Sequence, residues 1–136
     1  MPERSRDWFR QAQRDLAHAE KDLRDGYYEW ACFSAHQAAE KAVKALHYAL
    51  GQEAWGHVIS RLVEELPLEV PETLKDKARV LDGFYIPPRY PNGFPEGAPF
   101  EHYGKLQAEE ALSYAREILE FVRDALARKG RSASGP

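Results

Sequence analysis

The chain has 136 residues, 43% of them hydrophobic and 30% charged, with a net charge of -3. These values predict one globular domain with a buried core, and they exclude a disordered chain and any global attraction to nucleic acid, while leaving room for a local basic patch. The lone cysteine, Cys32, excludes an internal disulfide and cysteine-based structural zinc.

Apolar residues recur at steps of three and four along most of the sequence, which is typical of amphipathic helices. We expect a first helix over residues 7–23, with Ser5 as its N-cap and Gly26 after its end. A second helix is expected over 28–50, ended by Gly51 and rich in alanine on its inner face. Small side chains allow close helix approach, so we place this helix at the centre of the fold.

Three further helices follow in the sequence. A short helix is expected over 58–66, stopped by Pro67, and longer helices over 71–85 and 105–128. No alternating run demands a β-sheet. The sequence therefore predicts an all-α fold: an antiparallel, up-and-down four-helix bundle with an extra short helix. We expect the bundle to occupy residues 1–129 and residues 130–136 to form a disordered tail.

The connection over residues 86–103 is too long for a plain turn and too aromatic for disorder. It holds five of the nine prolines, together with Arg89, Tyr90 and His102. In one interpretation it is a strap across the bundle, with Arg89 bonding helix carbonyl ends. In the other it is a binding wall, in which Arg89 contacts an anion and Tyr90 stacks or hydrogen bonds. The two interpretations are compatible with each other.

The sequence also indicates where the protein resides. No stretch approaches the roughly 18 apolar residues of a membrane span. The charged N-terminus, Met1-Pro2-Glu3-Arg4, lacks the apolar segment of a secretory signal. We expect a cytoplasmic protein that does not engage a membrane.

Two segments resemble a known family. The run FSAHQAAEKAVKAL, residues 33–46, resembles the second-helix signature of HEPN domains. Arg89-Tyr90-Pro91-Asn92 is similar to the segment before the last helix in the prokaryotic branch of that family, and Gly56-His57 resembles the start of its short third helix. The resemblance covers about residues 6–126 and implies a helical bundle that often pairs into a dimer.

The resemblance also implies a setting for the function. Many bacterial members of the family act with a separate minimal nucleotidyltransferase, sometimes as toxin and antitoxin. The sequence has no glycine-rich phosphate loop, nucleophile elbow or paired carboxylates for magnesium, so a second protein must supply any such chemistry. We expect a nucleotide- or substrate-binding module without a cofactor or activity of its own. Large apolar residues near the ends of the first and last helices (Trp8, Phe9 and Phe121) favour a homodimer.

Polar residues of the second helix are the next candidates for ligand binding. Gln37, Lys41 and Lys44 are neighbours on successive turns, either as a solvated face or as a groove that meets a nucleotide; with Arg89 and Tyr90 they form the predicted ligand set. His36 and Glu40 share a face. They supply only two metal ligands, and His47 lies about 16 Å further along the axis. No metal site is predicted.

The alternative function is a metal-independent ribonuclease. Some members of the family use an arginine followed, after four to six residues, by a histidine, and this spacing does not occur here. Arg89 and His102 have twelve residues between them. In this alternative they converge in the fold, Arg89 stabilising phosphate charge and His102 acting as general acid or base on RNA.

Overall fold

The computed structural model describes residues 3–133, with side chains up to residue 130. Six α-helices lie in this range: α1 Ser5–Asp25, α2 Tyr28–Ala49, α3 Ile59–Glu64, α4 Glu72–Asp82, α5 Pro99–His102 and α6 Lys105–Ala133. A 3-10 turn covers Pro91–Gly93. Residues 3–133 contain no β-strand, which confirms the all-α prediction. None of the described helices has the length and apolar character that crossing a membrane requires.

Helix α2 is the centre of the bundle, as its alanines predicted. It packs against all five other α-helices of the described chain, most extensively against α1 and α6. Ala35, Ala38, Ala39 and Ala42 are fully buried. Their small side chains let neighbouring helices approach closely, so five other helices can pack around this one.

Helices α1 and α2 form an antiparallel hairpin through a two-residue connection. Gly26 has a φ of 84°, the left-handed conformation that glycine adopts without a Cβ clash. The Tyr27 amide donates to the Asp22 carbonyl at 2.9 Å, which closes the last turn of α1. The predicted role of Gly26 is confirmed.

Several helix ends differ from the sequence expectation. Ser5 is the first residue of α1 rather than its N-cap, and its amide donates to the Glu3 carboxylate at 2.5 Å. Helix α4 ends at Asp82, three residues early, because Gly83 and the turns after it redirect the chain towards the strap. Helix α6 continues to Ala133, past Gly130 and into the segment expected as a tail; residues 134–136 lie outside the described range.

The N-terminus of α3 is capped from a distant helix. The Asp82 carboxylate, at the end of α4, accepts hydrogen bonds from the Ile59 amide at 2.6 Å, the Ser60 amide at 3.3 Å and the Ser60 hydroxyl at 2.5 Å. A carboxylate is favourable there because free amides and the helix dipole both present positive charge. This cap links the first residues of α3 to the last residue of α4.

The strap over residues 86–103 is ordered by its own aromatic side chains. The Phe94 ring lies face to face on the His102 ring, with centroids 4.1 Å apart. Phe94 and Phe84 both meet Tyr103 edge-on, and Tyr103 is buried. That burial raises the pKa of Tyr103 to about 12.

Candidate functional site

The strap arginine, Arg89, is held over aromatic rings. Its Nε donates at 2.7 Å to the Tyr85 carbonyl, which lies three residues beyond the end of α4 and is not one of the helix carbonyl ends that the strap interpretation expected. The guanidinium carbon lies 4.4 Å from the Phe33 ring centre and 4.5 Å from that of Tyr85. No hydrogen bond in the described part of the chain uses its two terminal nitrogens. That edge of the guanidinium can therefore bind an anion.

Tyr85 joins Arg89 to a histidine. The His57 ring stacks on the Tyr85 ring, with centroids 4.4 Å apart and planes 17° apart. Arg89 and His57 thus lie against one aromatic side chain, although 31 residues stand between them in the sequence. The His57 side chain is 51% exposed, so the ring is open to a ligand.

A buried carboxylate fixes the orientation of His57. Glu40 Oε1 accepts from His57 Nδ1 at 2.8 Å, and Glu40 Oε2 accepts from the Lys44 ammonium at 3.2 Å. With the proton on Nδ1, the neutral ring presents Nε2 as an acceptor. Within residues 3–130 no hydrogen bond engages that Nε2. His57 thus offers an exposed proton acceptor on the same Tyr85 ring that the Arg89 guanidinium contacts.

His36 supports the same segment from below. Its Nε2 donates to the His57 carbonyl at 3.0 Å, and its ring lies 5.0 Å from that of Tyr85. His36 is fully buried, and this burial lowers its pKa. The neutral ring is therefore the stable form, and it anchors the backbone that carries His57. We call Arg89, Tyr85, His57, Glu40 and Lys44 the Arg89–His57 cluster.

The five predicted ligand residues have different surroundings. Arg89 and Lys44 belong to the cluster, although Lys44 is buried and acts through Glu40. The Tyr90 ring centre lies 5.3 Å from the Arg89 guanidinium, and Gln37 Oε1 lies 3.1 Å from His36 Nδ1. Lys41 instead pairs with Asp15 of α1 at 2.6 Å.

The histidine of the alternative function lies elsewhere on the strap. His102 Nε2 donates to the Glu96 carbonyl at 2.7 Å, and its ring is covered on one face by Phe94. No hydrogen bond or ring contact of the described residues joins His102 to Arg89. The histidine that the fold brings to Arg89 through Tyr85 is His57.

Sequence reasoning did not single out His57, Glu40 or Tyr85 as site residues. One feature of the sequence did point to Glu40: a carboxylate among alanines that are expected to be buried needs a positively charged or hydrogen-bonding partner. The pairing of Glu40 with His57 crosses a loop, so no helical spacing reveals it. Tyr85 was expected as the last residue of the helix over 71–85, whereas it lies after α4 ends.

The cluster does not have the composition of a metal centre. Among the described residues, no group of three or more His, Cys, Asp or Glu side chains is placed to hold an ion. Glu40 already uses one oxygen for His57 and the other for Lys44. With His57 neutral, the cations Arg89 and Lys44 outnumber the single carboxylate, which favours an anionic ligand.

The fold and the cluster define a helical-bundle domain that presents an arginine from the strap and a histidine held by its second helix. The HEPN domain model matches residues 5–125, and the chain belongs to the HEPN family. This confirms the resemblance seen in the second helix and in the strap.

The chain is also similar to solved structures and to a curated protein. The crystal structure of TT1696 from Thermus thermophilus has a TM-score of 0.90 and 52% identity, covering 91% of this chain and 99% of that one. ST0689, an archaeal HEPN homologue, has a TM-score of 0.80 and 42% identity, covering 92% and 99%. "Putative toxin MJ1304" of Methanocaldococcus jannaschii is 29% identical over 133 residues, covering 90% of this chain and 88% of its own length.

Proposed function

We propose that this protein is the HEPN component of a toxin–antitoxin pair and binds a nucleotide at the Arg89–His57 cluster, beside a separate minimal nucleotidyltransferase. One observation carries the proposal: Arg89 and His57 lie against the same Tyr85 ring, each with an unused polar edge. The relative named as a toxin supports the toxin–antitoxin setting.

The cluster matches the two chemical parts of a nucleotide. The planar guanidinium of Arg89 donates two parallel hydrogen bonds to a phosphate, and His57 Nε2 accepts from a hydroxyl. The exposed Tyr90 ring lies beside the arginine, and the exposed Trp30 ring packs against Phe33, which Arg89 also contacts. Stacking on such a ring is worth about 1–3 kcal/mol per base and tolerates every base.

Isothermal titration calorimetry tests nucleotide binding directly. Titrating ATP, AMP and UMP into the protein, alone and mixed with any minimal nucleotidyltransferase encoded beside its gene, should give saturable heats. Arg89→Gln should weaken binding at least roughly tenfold, because a charge-assisted bidentate contact is lost. Arg61→Gln is the matched control, since Arg61 is exposed, has no ion-pair partner among the described residues and lies on α3.

Two outcomes contradict the proposal. Equal losses in Arg89→Gln and Arg61→Gln would show that only net charge matters. No heat with any nucleotide, together with no co-elution of the two proteins, would exclude both nucleotide binding and association with the nucleotidyltransferase.

The expected homodimer needs a different surface from the one that the sequence indicated. Trp8, Phe9 and Phe121 all pack against the core of their own chain. Large exposed apolar side chains instead lie near the cluster, Trp30 and Ile86 among them. We expect light scattering to give twice the 15.6 kDa chain mass at micromolar concentration, and Trp30→Ser with Ile86→Ser to give monomer.

The second candidate function is the ribonuclease, and the Glu40–His57 pair favours it. His57 Nε2 would take the proton of a ribose 2′-hydroxyl as its oxygen attacks the adjacent phosphorus. The bond from phosphorus to the 5′-oxygen then breaks, and that oxygen receives the proton back from His57. Arg89 would stabilise the charge that develops on the phosphoryl oxygens.

Purified protein incubated with total RNA separates the versions of this mechanism. Loss of cleavage in His57→Gln and Arg89→Gln, with His102→Gln still active, supports the His57 version. Loss in His102→Gln with His57→Gln active returns the assignment to the pair that the sequence suggested. No cleavage by the wild-type protein contradicts both.

A further inference from the structure

Helix α1 presents a row of basic side chains on one face. Five positions fall within about 80° of its circumference, at 100° per residue. We call them the α1 basic stripe: Arg6, Arg10, Arg14, Lys21 and Arg24. The stripe runs about 27 Å along the axis at 1.5 Å per residue.

These side chains are exposed, and the four arginines have no ion-pair partner among residues 3–130. The lysine of the stripe, Lys21, pairs with Asp25 at its edge. The other acids of α1 pair with groups outside the stripe: Asp7 with Arg4, Asp15 with Lys41, Asp22 with His18 and Glu20 with Arg116. The four arginines of the stripe therefore form a positive surface without ion-pair partners among residues 3–130, on a chain that is acidic overall.

A role in folding does not explain the stripe. Arg6, Arg10 and Arg14 are each four residues apart, and like charges at that spacing repel and destabilise a helix. Arginine is also the basic residue whose planar guanidinium is best suited to bind phosphate oxygens. The axial step is about 6 Å from Arg6 to Arg10 and from Arg10 to Arg14, and about 15 Å from Arg14 to Arg24, so the charges lie in a row rather than in a compact group.

The surface widens at both ends of the stripe. Lys129 of α6 joins Arg6 and Arg10 around a groove of about 610 Å³. The one acid there, Glu3, already accepts from the Ser5 amide. At the other end a depression of about 420 Å³ is lined by Arg14, His18, Lys21 and Arg24, with Asp15 as its one acid. The positive surface thus extends beyond a single row of side chains.

We propose that the α1 basic stripe binds the phosphodiester backbone of a nucleic acid. A linear polyanion matches a straight row of unpaired arginines. The residues between the arginines on this face are Gln13 and Ala17, and the large apolar residues of the adjoining groove, Phe9 and Leu126, are buried or half-buried. The surface therefore has no exposed large apolar anchor of the kind that protein interfaces need. The stripe shares no residue with the Arg89–His57 cluster, so it stands whether or not that cluster binds a nucleotide.

Fluorescence anisotropy with labelled single-stranded RNA and DNA of one sequence, and with an RNA duplex, tests the stripe. The variant is Arg6→Gln/Arg10→Gln/Arg14→Gln. Its control is Arg61→Gln/Lys105→Gln/Arg128→Gln, which removes the same charge from exposed positions off the stripe that have no ion-pair partner within residues 3–130. Glutamine is a good helix former, so both variants should keep the wild-type circular dichroism.

We expect the stripe variant to bind at least roughly tenfold more weakly and the control to bind within about twofold of wild type at low salt. The slope of log affinity against log salt should fall by about 2 in the stripe variant, since each lost phosphate contact removes about 0.7–0.9. Comparable RNA and DNA affinities identify the backbone as the ligand, and an RNA preference adds the ribose to it.

Three results overturn the proposal. They are no binding to any of the nucleic acids at low salt, equal losses in the two triple variants, and competition by polyglutamate as strong as that by unlabelled RNA. The last result would assign the stripe to an acidic protein instead.

Discussion

Removal of Glu40 should destabilise the fold through the buried ammonium it leaves behind. The Lys44 and Glu40 side chains are only 9% and 5% exposed. Removing one partner of such a buried pair costs about 3–5 kcal/mol, because the other charge stays desolvated and unpaired. An exposed pair such as Lys21–Asp25 contributes little to stability, because water and salt screen both charges. Glu40→Leu should therefore cost several times what Lys21→Met costs.

Urea unfolding followed by circular dichroism measures both changes. With a slope of about 2 kcal/mol per molar urea, Glu40→Leu should lower the midpoint by roughly 1.5 M or more. The double variant Glu40→Leu/Lys44→Met removes both charges and should recover most of that loss. If Glu40→Leu is no worse than Lys21→Met, or if the double variant is as unstable as the single one, the buried-pair reasoning is refuted.

Three smaller predictions concern the surroundings of the site. Asp82→Ala should lower the free energy of unfolding by about 1–3 kcal/mol, since the α3 amides lose their carboxylate cap; a loss below about 0.5 kcal/mol in urea unfolding would count against the cap. Burial raises the pKa of Cys32 to about 12, so Ellman's reagent at about pH 8 should label this thiol only in denaturant, and rapid labelling of folded protein would contradict its burial. Burial lowers the pKa of His36, so the stability it contributes is present above about pH 6.5 and is lost as pH falls through the lower folded pKa. His36→Gln should flatten the fall of the urea midpoint between about pH 7 and pH 5, and an unchanged fall would reject this assignment.

The helices were predictable because their cause is local. Apolar spacing indicated α1, α2 and α6, and the buried alanines correctly placed α2 at the centre. The helix ends were less predictable. Asp82 caps α3 from another helix, and Ser5, whose amide donates to the Glu3 carboxylate, is the first residue of α1 rather than its N-cap.

The site was predictable only in part, for a physical reason. Arg89 stood out because it lies in a proline-rich, aromatic segment. Its neighbour His57 depends on how the loop before α3 folds back over α2, where Glu40 holds it, and on where Tyr85 leaves α4. Such contacts follow from helix packing rather than from any residue spacing, which is why His102 was the histidine chosen from the sequence.

The most direct measurement of nucleotide binding at the Arg89–His57 cluster is a titration with AMP and UMP followed by NMR of histidine and arginine side-chain nitrogens. His57 Nε2 should shift saturably, together with Arg89 Nε, while the nitrogens of His47 and His102 stay in place. Two results would contradict the assignment of this cluster as the binding site. In one, the His57 and Arg89 nitrogen signals do not shift even at millimolar nucleotide; in the other, the shift is confined to His102.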